Sequence, residues 1–380
     1  MSGIDSEFIR KLDEDILEAI EHGYERGVSE SEFNDMAIRL FQFQYSANKP
    51  LQKYIQRKGI NPDNITSWEE IPGVVADVFK DIPLTCFPVE RAERKFMTSG
   101  TKNPGKRGLH YIDAVGMHFW RRSVYVTAKH YFFPDVDKMK ILALSPPPET
   151  MPYDMSMAVG IGEWVENFGT ENSEYLARVG ERGIDVNGRR FVELLKESEK
   201  TGEPVAIVSS SFGCVHFLDQ CKNIGLKFNL PKGSRSLDGG GYKGKSRELT
   251  KEELYSSLKE TTGIHEAYCV NLLGLTENAT QFFDNTLLNS LEGKSELRYK
   301  PNHPWTRTIA VDPETLERLP KGKIGLLRHY DLANRSSVMA VQTDDLGYEV
   351  GSGFEIIGRV KGGEPRGCSL DYNEFVIVQK

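Results

Sequence analysis

The sequence lacks several features that would place it in a large class of proteins at once. It has five cysteines in 380 residues, and none of them stands in the Cys-x-x-Cys spacing of zinc sites and redox centres. A disulfide framework and a structural zinc site are therefore not expected. The chain also has no run of about 18 apolar residues, so it contains no ordinary transmembrane helix.

Basic residues are too few and too scattered for a typical nucleic-acid-binding protein. Lysine and arginine together number 48, against 55 aspartates and glutamates, and the formal net charge is −7. Proteins that bind nucleic acids usually carry a basic run or stripe, and no long basic run occurs here. The N-terminus is acidic and helical in pattern, unlike a signal peptide. We expect a cytoplasmic protein with no nucleic-acid partner and no membrane span.

Hydrophobic periodicity predicts an α/β protein in three consecutive parts. Residues 1–70 have helical spacing, and Ser29 and Glu32 have the spacing of a capping box, which predicts a helical cap that is part of the main domain. Residues 71–307 alternate apolar runs with helical patterns and predict an α/β nucleotide-binding core with a largely parallel sheet. Residues 308–380 have short apolar runs separated by turn residues and predict a β-rich C-terminal portion.

A glycine-rich stretch at residues 95–108 has the composition of a phosphate-binding loop. It combines hydroxyl-bearing, small and basic residues: Thr98, Ser99, Gly100, Thr101, Lys102 and Lys106. Hydroxyls and backbone N–H groups in such a loop can converge on one anion, and lysines add positive charge. The stretch is not a Walker A loop, because G-x-x-x-x-G-K-[ST] does not occur. The same residue types also form solvated surface turns, which is the alternative interpretation.

A second glycine run follows a predicted strand. Gly239, Gly240 and Gly241 allow a flat ligand such as a purine to approach the backbone closely, and Tyr242 could lie beside it. A flexible loop is the alternative.

The pair Thr276 and Glu277 ends the stretch Leu273-Gly-Leu-Thr-Glu277, which directly follows the apolar run of residues 267–272. Ligands bind at the carboxyl ends of strands in open α/β sheets, so this hydroxyl and carboxylate could contact phosphate and Mg²⁺. A helix N-terminus is the alternative.

Two more stretches near the C-terminus carry reactive or charged side chains. Asp345 could accept hydrogen bonds from ribose hydroxyls, and the Arg359 guanidinium could donate two charged hydrogen bonds to ribose or phosphate oxygens. A hairpin turn is the alternative for residues 343–347. Cys368 lies between Gly367 and Ser369 and close to Arg366, where a cation could stabilise a thiolate and glycine could leave the sulfur accessible. The other four cysteines are predicted to be buried small hydrophobes.

The order of these motifs resembles that of the adenylate-forming superfamily, and most closely the LuxE-type acyl-protein synthetases. The resemblance covers roughly three quarters of the chain. The shared motifs are Ile71-Pro with Phe79-Lys, Phe96-x-Thr-Ser-Gly-Thr-Lys102, Gly239-Gly-Gly-aromatic-Lys243, Glu277-x-x-x-x-Phe-Phe-Asp284, Pro304-Trp305, Asp312-Pro-x-Thr315, Thr343-x-Asp-x-Gly347 and Gly367-Cys-Ser-Leu370.

This resemblance implies a fold and a two-step reaction. The expected fold is the large N-terminal domain of adenylate-forming enzymes, with mixed or parallel sheets and a β-rich C-terminal portion, lacking the usual C-terminal lid domain. In the implied reaction a fatty acid carboxylate attacks the α-phosphate of Mg-ATP to give acyl-AMP, and Cys368 then takes the acyl group as a thioester. The implied partners are a LuxC-like acyl reductase, which makes the aldehyde, and an acyl-transferase or thioesterase.

The resemblance also assigns roles to residues, with some positions left open. It makes Glu277 the Mg²⁺ ligand and Cys368 the acylated nucleophile. The lysine that larger members carry in their lid has no match here, and Lys102, Lys106 or Lys243 could replace it; we choose Lys102. Leu273 stands where an aromatic residue usually stacks on adenine, so that role could pass to Tyr242. The ribose carboxylate could be Asp344 or Asp345, and we choose Asp345.

Two other functions remain compatible with the sequence. The protein could be a ligase that transfers acyl or aryl groups to coenzyme A or to a carrier-protein thiol, with Cys368 taking no part. It could also be a subunit that binds nucleotide without catalysing a reaction.

Overall fold

The computed structural model describes residues 4–98, 106–181, 183–240, 248–360 and 366–379. Contacts between Cα atoms divide the chain into two compact units. The first unit comprises Met1–Val126, Leu275–Thr280 and Tyr299–Lys380. The second comprises Thr127–Gly274 and Gln281–Arg298. Each unit is thus built from segments that are separated in the sequence. The division into residues 1–70, 71–307 and 308–380 remains a prediction from the sequence.

The regular elements of the described residues are as follows. The helices are α1 Ser6–Arg26, α2 Glu30–Ala47, α3 Lys49–Arg57, α4 Ala114–Tyr131, α5 Ser156–Phe168, α6 Gly188–Thr201, α7 Ser211–Asn223, α8 Lys251–Thr262, α9 Thr286–Glu292 and α10 Arg366–Ile377. The strands are β1 Val74–Val75, β2 Arg94–Met97, β3 Leu109–Ile112, β4 Lys140–Ala143, β5 Glu174–Tyr175, β6 Ala177–Gly180, β7 Gly183–Val186, β8 Val205–Ser210, β9 Arg235–Gly239, β10 Cys269–Leu273, β11 Phe282–Phe283, β12 Lys300–Pro301, β13 Thr306–Val311, β14 Gly325–Asp331, β15 Ala340–Val350 and β16 Gly353–Arg359. Short 3₁₀ helices cover Pro62–Asn64, Trp68–Glu70, Ala76–Lys80, Val89–Arg91, Pro148–Thr150 and Glu266–Tyr268.

Helix α2 begins where the sequence predicts. The Ser29 hydroxyl accepts a hydrogen bond from the Glu32 N–H at 3.2 Å, and the Glu32 carboxylate accepts one from the Ser29 N–H at 2.8 Å. This reciprocal pair is the predicted capping box of α2, and a cap of this kind contributes about 1 kcal/mol to helix stability. Leu12, Ile16 and Ile20 of α1 are fully buried, as their helical spacing predicts.

The main sheet of the first unit is antiparallel apart from one short strand. Its order is β12-β16-β15-β14-β13, and β1 pairs with β15 in parallel. Every residue of β14 is buried, and the long strand β15 pairs with β14 on one side and β16 on the other. This is the β-rich C-terminal portion expected from the sequence, with α10 following it.

The sheet of the second unit is mostly parallel, as the alternating pattern predicts. Its order is β11-β10-β9-β8-β4-β5, and only β11 runs antiparallel to its neighbour among the described pairs. The first five residues of β8 form one buried run, which is typical of a strand covered on both faces. Helices α6, α7 and α8 supply much of the core against these strands, through residues such as Phe191, Val215 and Leu258.

Candidate functional site

Strands β2 and β3 of the first unit pair as an antiparallel hairpin that carries the glycine-rich loop. At the base of the loop the Thr98 N–H donates to the Gly108 carbonyl at 3.0 Å, and the Gly108 N–H donates to the Thr98 hydroxyl at 2.9 Å. The Thr98 hydroxyl therefore helps to close the loop, and its proton is still available to a ligand. The predicted phosphate-binding residues Ser99, Gly100, Thr101 and Lys102 lie outside the described residues.

Lys106 follows the loop and forms an ion pair with Asp81. The same carboxylate accepts a hydrogen bond from the Tyr372 hydroxyl at 2.5 Å. The lysine side chain is about half exposed. Its charge is therefore already balanced in part by Asp81, although the sequence predicted it as a phosphate ligand.

The Thr276–Glu277 pair lies on a segment that Asp331 anchors. This buried carboxylate accepts hydrogen bonds from the Ala279 N–H at 3.1 Å, and from the Thr280 N–H at 2.7 Å and hydroxyl at 2.8 Å. Burial raises the pKa of Asp331 to about 6, so it is ionised and able to accept at neutral pH. Residues 276 and 277 form a turn, so the alternative of a helix N-terminus is wrong.

Two side chains hold the backbone of the pair itself. His110 Nδ1 lies 2.7 Å from the Thr276 carbonyl oxygen. The Asn334 amide donates to the Glu277 carbonyl at 2.8 Å and to the Val338 carbonyl at 2.7 Å. Both carbonyls are fixed, which leaves the Thr276 hydroxyl and the Glu277 carboxylate as the groups that can turn toward a ligand.

The Glu277 carboxyl lies in a strongly perturbing environment. Burial is the largest influence and raises its pKa to about 7. The negative charges of Asp345 and Asp344 act in the same direction, while the positive charge of Arg359 opposes them. The structure therefore brings four predicted or alternative site residues together in the first unit. A carboxyl group with so perturbed a pKa is typical of a functional site.

Asp345 and Arg359 face each other across β15 and β16 as a directly opposite pair. Arg359 Nε donates to Asp345 Oδ1 at 2.6 Å, and the Asp345 side chain is 5% exposed. Arg359 lies 3.9 Å from the carboxylate of Asp344, which is the more exposed aspartate. Residues 343–347 lie inside β15, so the alternative of a hairpin turn is wrong.

The second glycine run begins at the end of β9 in the second unit. A side chain at Gly239 would lie 3.3 Å from the Met157 methyl group and 3.4 Å from the Leu272 carbonyl, and Gly240 has a positive φ of 74°. The Ser211 hydroxyl lies within hydrogen-bond distance of the Gly240 carbonyl at 2.8 Å and of an Asp238 carboxylate oxygen at 2.6 Å. Gly241, Tyr242 and Lys243 lie outside the described residues.

Cys368 lies in the first turn of α10 and is 4% exposed, so the expectation of an accessible sulfur is wrong. The Gly367 N–H donates to the Pro313 carbonyl at 3.0 Å, and a side chain at Gly367 would come within 2.8 Å of that oxygen. The glycine therefore lets the helix approach the chain closely instead of opening it to solvent. Further along α10, Asp371 accepts from the Tyr54 hydroxyl at 2.9 Å and pairs with Lys58 at 2.6 Å.

The other four cysteines differ in their burial. Cys214, Cys221 and Cys269 are buried as predicted, whereas Cys86 is only partly buried. In the described ranges, no group of three or more His, Cys, Asp or Glu side chains is placed to hold a metal ion. No helix within those ranges has the length and apolar character needed to cross a membrane.

Sequence reasoning missed His110, Asp331 and Asn334, which hold the Thr276–Glu277 segment. A signal for Asp331 exists in its position directly after the apolar and aromatic residues of β14, because a carboxylate is seldom buried there unless it is hydrogen-bonded. Neither His110 nor Asn334 has a local pattern that marks it.

We expect Asp331→Ala to destabilise the first unit by about 3 kcal/mol or more. The reason is that several buried donors lose their acceptor at once, and each unsatisfied donor costs about 1–3 kcal/mol. Urea unfolding of the variant and of the wild type measures the difference. Asp331→Asn is the matched control, since it retains one acceptor oxygen and the shape of the side chain, and it should lose less. An alanine variant within about 0.5 kcal/mol of wild type would show that Asp331 is not an anchor.

The described architecture matches that of adenylate-forming ligases. A structure of 2-hydroxyisobutyryl-CoA ligase in complex with 2-HIB-AMP and CoA aligns with a TM-score of 0.60 and 12% identity, over 87% of this chain and 70% of that one. The same ligase in its post-adenylation state with R3-HIB-AMP gives a TM-score of 0.63 and 12% identity, over 87% and 68%. At this identity the likeness establishes the fold alone.

Sequence comparison establishes the family. The model of the family "Acyl-protein synthetase, LuxE" matches residues 4–377, and the chain belongs to this family of ligases. A long-chain-fatty-acid–luciferin-component ligase of Aliivibrio fischeri is 22% identical over 367 residues, which are 92% of this chain and 90% of the relative. A protein of the same name from Vibrio harveyi is 22% identical over 344 residues, 88% and 85% respectively. The resemblance inferred from the motifs is confirmed.

Proposed function

We propose that the protein activates a long-chain fatty acid with ATP to acyl-AMP and then takes the acyl group onto Cys368 as a thioester. The observation that carries the proposal is the Thr276–Glu277 pair, whose backbone carbonyls are held by His110 and Asn334. The charges of Asp345 and Arg359 act on the Glu277 carboxyl group and shift its pKa. In the fold of adenylate-forming ligases this arrangement has the groups that a nucleotide and its metal ion require. The names of the relatives favour a long-chain fatty acid as the substrate.

The residues present fit a bound Mg²⁺. This ion usually takes one or two protein carboxylates and completes its shell with substrate phosphates and water. Glu277 is a single partly buried carboxylate, and the described residues contain no separate cluster that would hold a metal without a nucleotide. When bound, Mg²⁺ neutralises charge on the phosphates. Glu277 would hold it, and the Thr276 hydroxyl would contact phosphate.

The remaining site residues would hold the nucleotide. Asp345 is hydrogen-bonded to Arg359 through one oxygen and would accept the ribose hydroxyls, with Arg359 keeping the carboxylate ionised and oriented. The glycine-rich loop would bind the phosphates through Thr98, Ser99, Gly100, Thr101, Lys102 and Lys106. The second glycine run would contact adenine through Gly239, Gly240, Gly241 and Tyr242.

The proposed reaction has two steps, adenylation of the fatty acid and transfer of the acyl group to Cys368. A carboxylate oxygen of the fatty acid bonds to the α-phosphorus of ATP, and the bond to pyrophosphate breaks. The Cys368 thiolate, having lost its proton to solvent, then bonds to the acyl carbon, and AMP leaves. Cysteine suits this step because its thiolate is an intrinsically strong nucleophile. A LuxC-like acyl reductase would receive the acyl group and make the aldehyde, and an acyl-transferase or thioesterase would supply the fatty acid.

The test is to incubate the protein with Mg-ATP and tetradecanoic acid and to measure intact and peptide masses together with released pyrophosphate. The expected result is an ATP-dependent acyl adduct on the Cys368 peptide that neutral hydroxylamine removes. Pyrophosphate without an adduct would instead favour the ligase that uses coenzyme A or a carrier thiol. Neither product, across several chain lengths and aryl acids, would favour the non-catalytic nucleotide-binding subunit.

We expect Lys102→Ala to slow pyrophosphate release by about 100-fold, as loss of one electrostatic contact to a reacting group commonly does. Lys106→Ala should have a smaller effect, because Asp81 already pairs with that lysine. Initial rates at saturating ATP measure both, and Lys243→Ala is compared in the same assay. Equal rates for Lys102→Ala and wild type would reject Lys102 as the replacement for the lid lysine.

A further inference from the structure

The His110 imidazole holds the Thr276 carbonyl through Nδ1, and the function proposed above gives no role to its other ring nitrogen. It belongs to β3, the second strand of the hairpin that carries the glycine-rich loop. Its side chain is 1% exposed and lies edge-on to the Phe79 ring at 5.6 Å between centroids. It reaches from this hairpin to the Thr276 carbonyl, and so it joins two of the segments that carry predicted ligand-binding residues.

The partner of His110 determines which ring nitrogen carries the proton. A carbonyl oxygen can only accept a hydrogen bond, so Nδ1 must be the protonated nitrogen of the 2.7 Å contact to Thr276. Burial lowers the pKa of His110 to about 4, and the ring is therefore neutral at physiological pH. Nε2 then carries a lone pair and acts as an acceptor.

That acceptor is buried and has no hydrogen-bond donor among the described residues. Asn278, which directly follows Glu277, is 2% exposed, and neither its amide oxygen nor its amide nitrogen has a described partner. Buried polar atoms in native proteins nearly always have a partner, from the protein, water or a ligand. Two such side chains at the Thr276–Glu277 pair thus have hydrogen-bonding capacity that the described residues leave unused, and a bound ligand could satisfy it.

We propose that His110 is a positioning residue of the activation step: its Nδ1–H fixes the Thr276 carbonyl, and its Nε2 accepts a hydrogen bond from an O–H group of the bound Mg-ATP assembly. Because Nε2 is covered in the protein without ligands, the second contact requires that binding of Mg-ATP uncovers it. The inference rests on the proposed function. A lone pair repels phosphate and carboxylate oxygens, so His110 is not a phosphate ligand despite its place beside the loop. The O–H groups available are the ribose hydroxyls and water held by the metal ion.

Three substitutions separate the two contacts. His110→Asn places an amide N–H where Nδ1–H lies and removes Nε2, whereas His110→Gln places a polar group near Nε2. His110→Phe fills the space and removes both contacts. We expect His110→Phe to lower kcat for ATP–pyrophosphate exchange by about 10–100-fold, the range typical of residues that orient ligands of a bound metal. His110→Asn should recover part of kcat while its KM for Mg-ATP stays raised.

The two sources of the O–H group are distinguished with 2′-deoxy-ATP and 3′-deoxy-ATP. If a ribose hydroxyl donates to Nε2, removing that hydroxyl should cost the wild type activity and cost His110→Asn nothing further. If metal-held water donates, the deoxy analogues should slow both proteins equally. Calorimetry with Mg-ATP alone should show weaker binding by His110→Phe than by the wild type, without requiring turnover.

Two results would overturn the assignment. One is a folded His110→Phe variant that binds Mg-ATP and turns over like the wild type. The other is a loss that thermal unfolding accounts for fully, with His110→Asn and His110→Gln no better than His110→Phe per folded molecule. A wild type that binds Mg-ATP but activates no carboxylate would reject the proposed function instead, and the calorimetric comparison would still decide the role of His110.

Discussion

Cys368→Ser should abolish the acyl adduct on the protein while leaving the first half-reaction intact. With Mg-ATP and tetradecanoic acid, the variant should release pyrophosphate in a single turnover and then stop, because acyl-AMP would remain bound without a thiolate to attack it. A serine hydroxyl does not ionise near neutral pH and cannot replace the thiolate. Peptide mass spectrometry follows the adduct, and a coupled assay follows pyrophosphate.

Cys86→Ser is the matched control for this substitution. Cys86 is the other cysteine of the first unit, it is partly buried, and its thiol contacts the Ser337 carbonyl at 3.5 Å, a contact that a hydroxyl can also make. We expect it to retain the adduct. An adduct that persists in Cys368→Ser, or disappears only in Cys86→Ser, would contradict the assignment of the nucleophile.

The burial of Cys368 adds a requirement to this step. With Cys368 only 4% exposed, an acyl carbonyl cannot reach the sulfur unless the cysteine or the residues that cover it move. The contacts of Asp371 with Tyr54 and Lys58 hold the middle of the same helix. Alkylation of Cys368 by a small thiol reagent should therefore be slow in the protein without substrates, because reaction requires both a thiolate and access.

The second large effect is expected for Glu277→Gln, which should lower the rate of pyrophosphate release by about 100–1,000-fold, as removal of a group that stabilises developing charge commonly does. The variant keeps the size of the side chain but has no negative charge to hold Mg²⁺. Its backbone carbonyl should still be held by Asn334, so the fold should be retained. ATP–pyrophosphate exchange measured over a range of Mg²⁺ concentrations checks both the rate and the apparent metal affinity.

Asp344→Asn provides the matched control, because it removes one negative charge from the same neighbourhood. We expect a much smaller change than for Glu277→Gln. Asp345→Asn extends the comparison and should raise the KM for ATP, since Asp345 is the proposed ribose ligand. Wild-type exchange in a folded Glu277→Gln variant would remove Glu277 from the reaction, and a larger loss in Asp344→Asn than in Asp345→Asn would reverse the choice between the two aspartates.

Features that depend on a few neighbouring residues could be predicted from the sequence. The capping box at Ser29 and Glu32 satisfies the first N–H groups of α2, and it is present in the structure. The parallel sheet of the second unit follows from apolar runs alternating with helical patterns. The order of the motifs identified the family. Each motif alone also has an ordinary structural interpretation, but the combination in this order is specific.

Features that depend on distant parts of the chain could not be predicted. The sequence 343–347 has the residues of a turn, yet β15 passes through it with a bulge beside Gly347. A side chain at Gly347 would lie 2.2 Å from the Glu355 carbonyl. This glycine therefore allows β15 and β16 to approach each other closely, and it does not form a turn. Likewise, the burial of Cys368 depends on how α10 packs against chain segments far away in the sequence.

The interleaving of the two units has a consequence for biosynthesis on the ribosome. Val74 pairs with Val341 through β1 and β15, and Leu275–Thr280 is anchored on Asp331. The N-terminal helices of the first unit therefore emerge long before their partners, and must wait for most of the chain to be translated. The sheet of the second unit is complete once β11 has emerged. Because contacts of large sequence separation form slowly, the unit that carries the clamped pair should be the last to fold. Until then its apolar surface is exposed, and we expect chaperones to bind it.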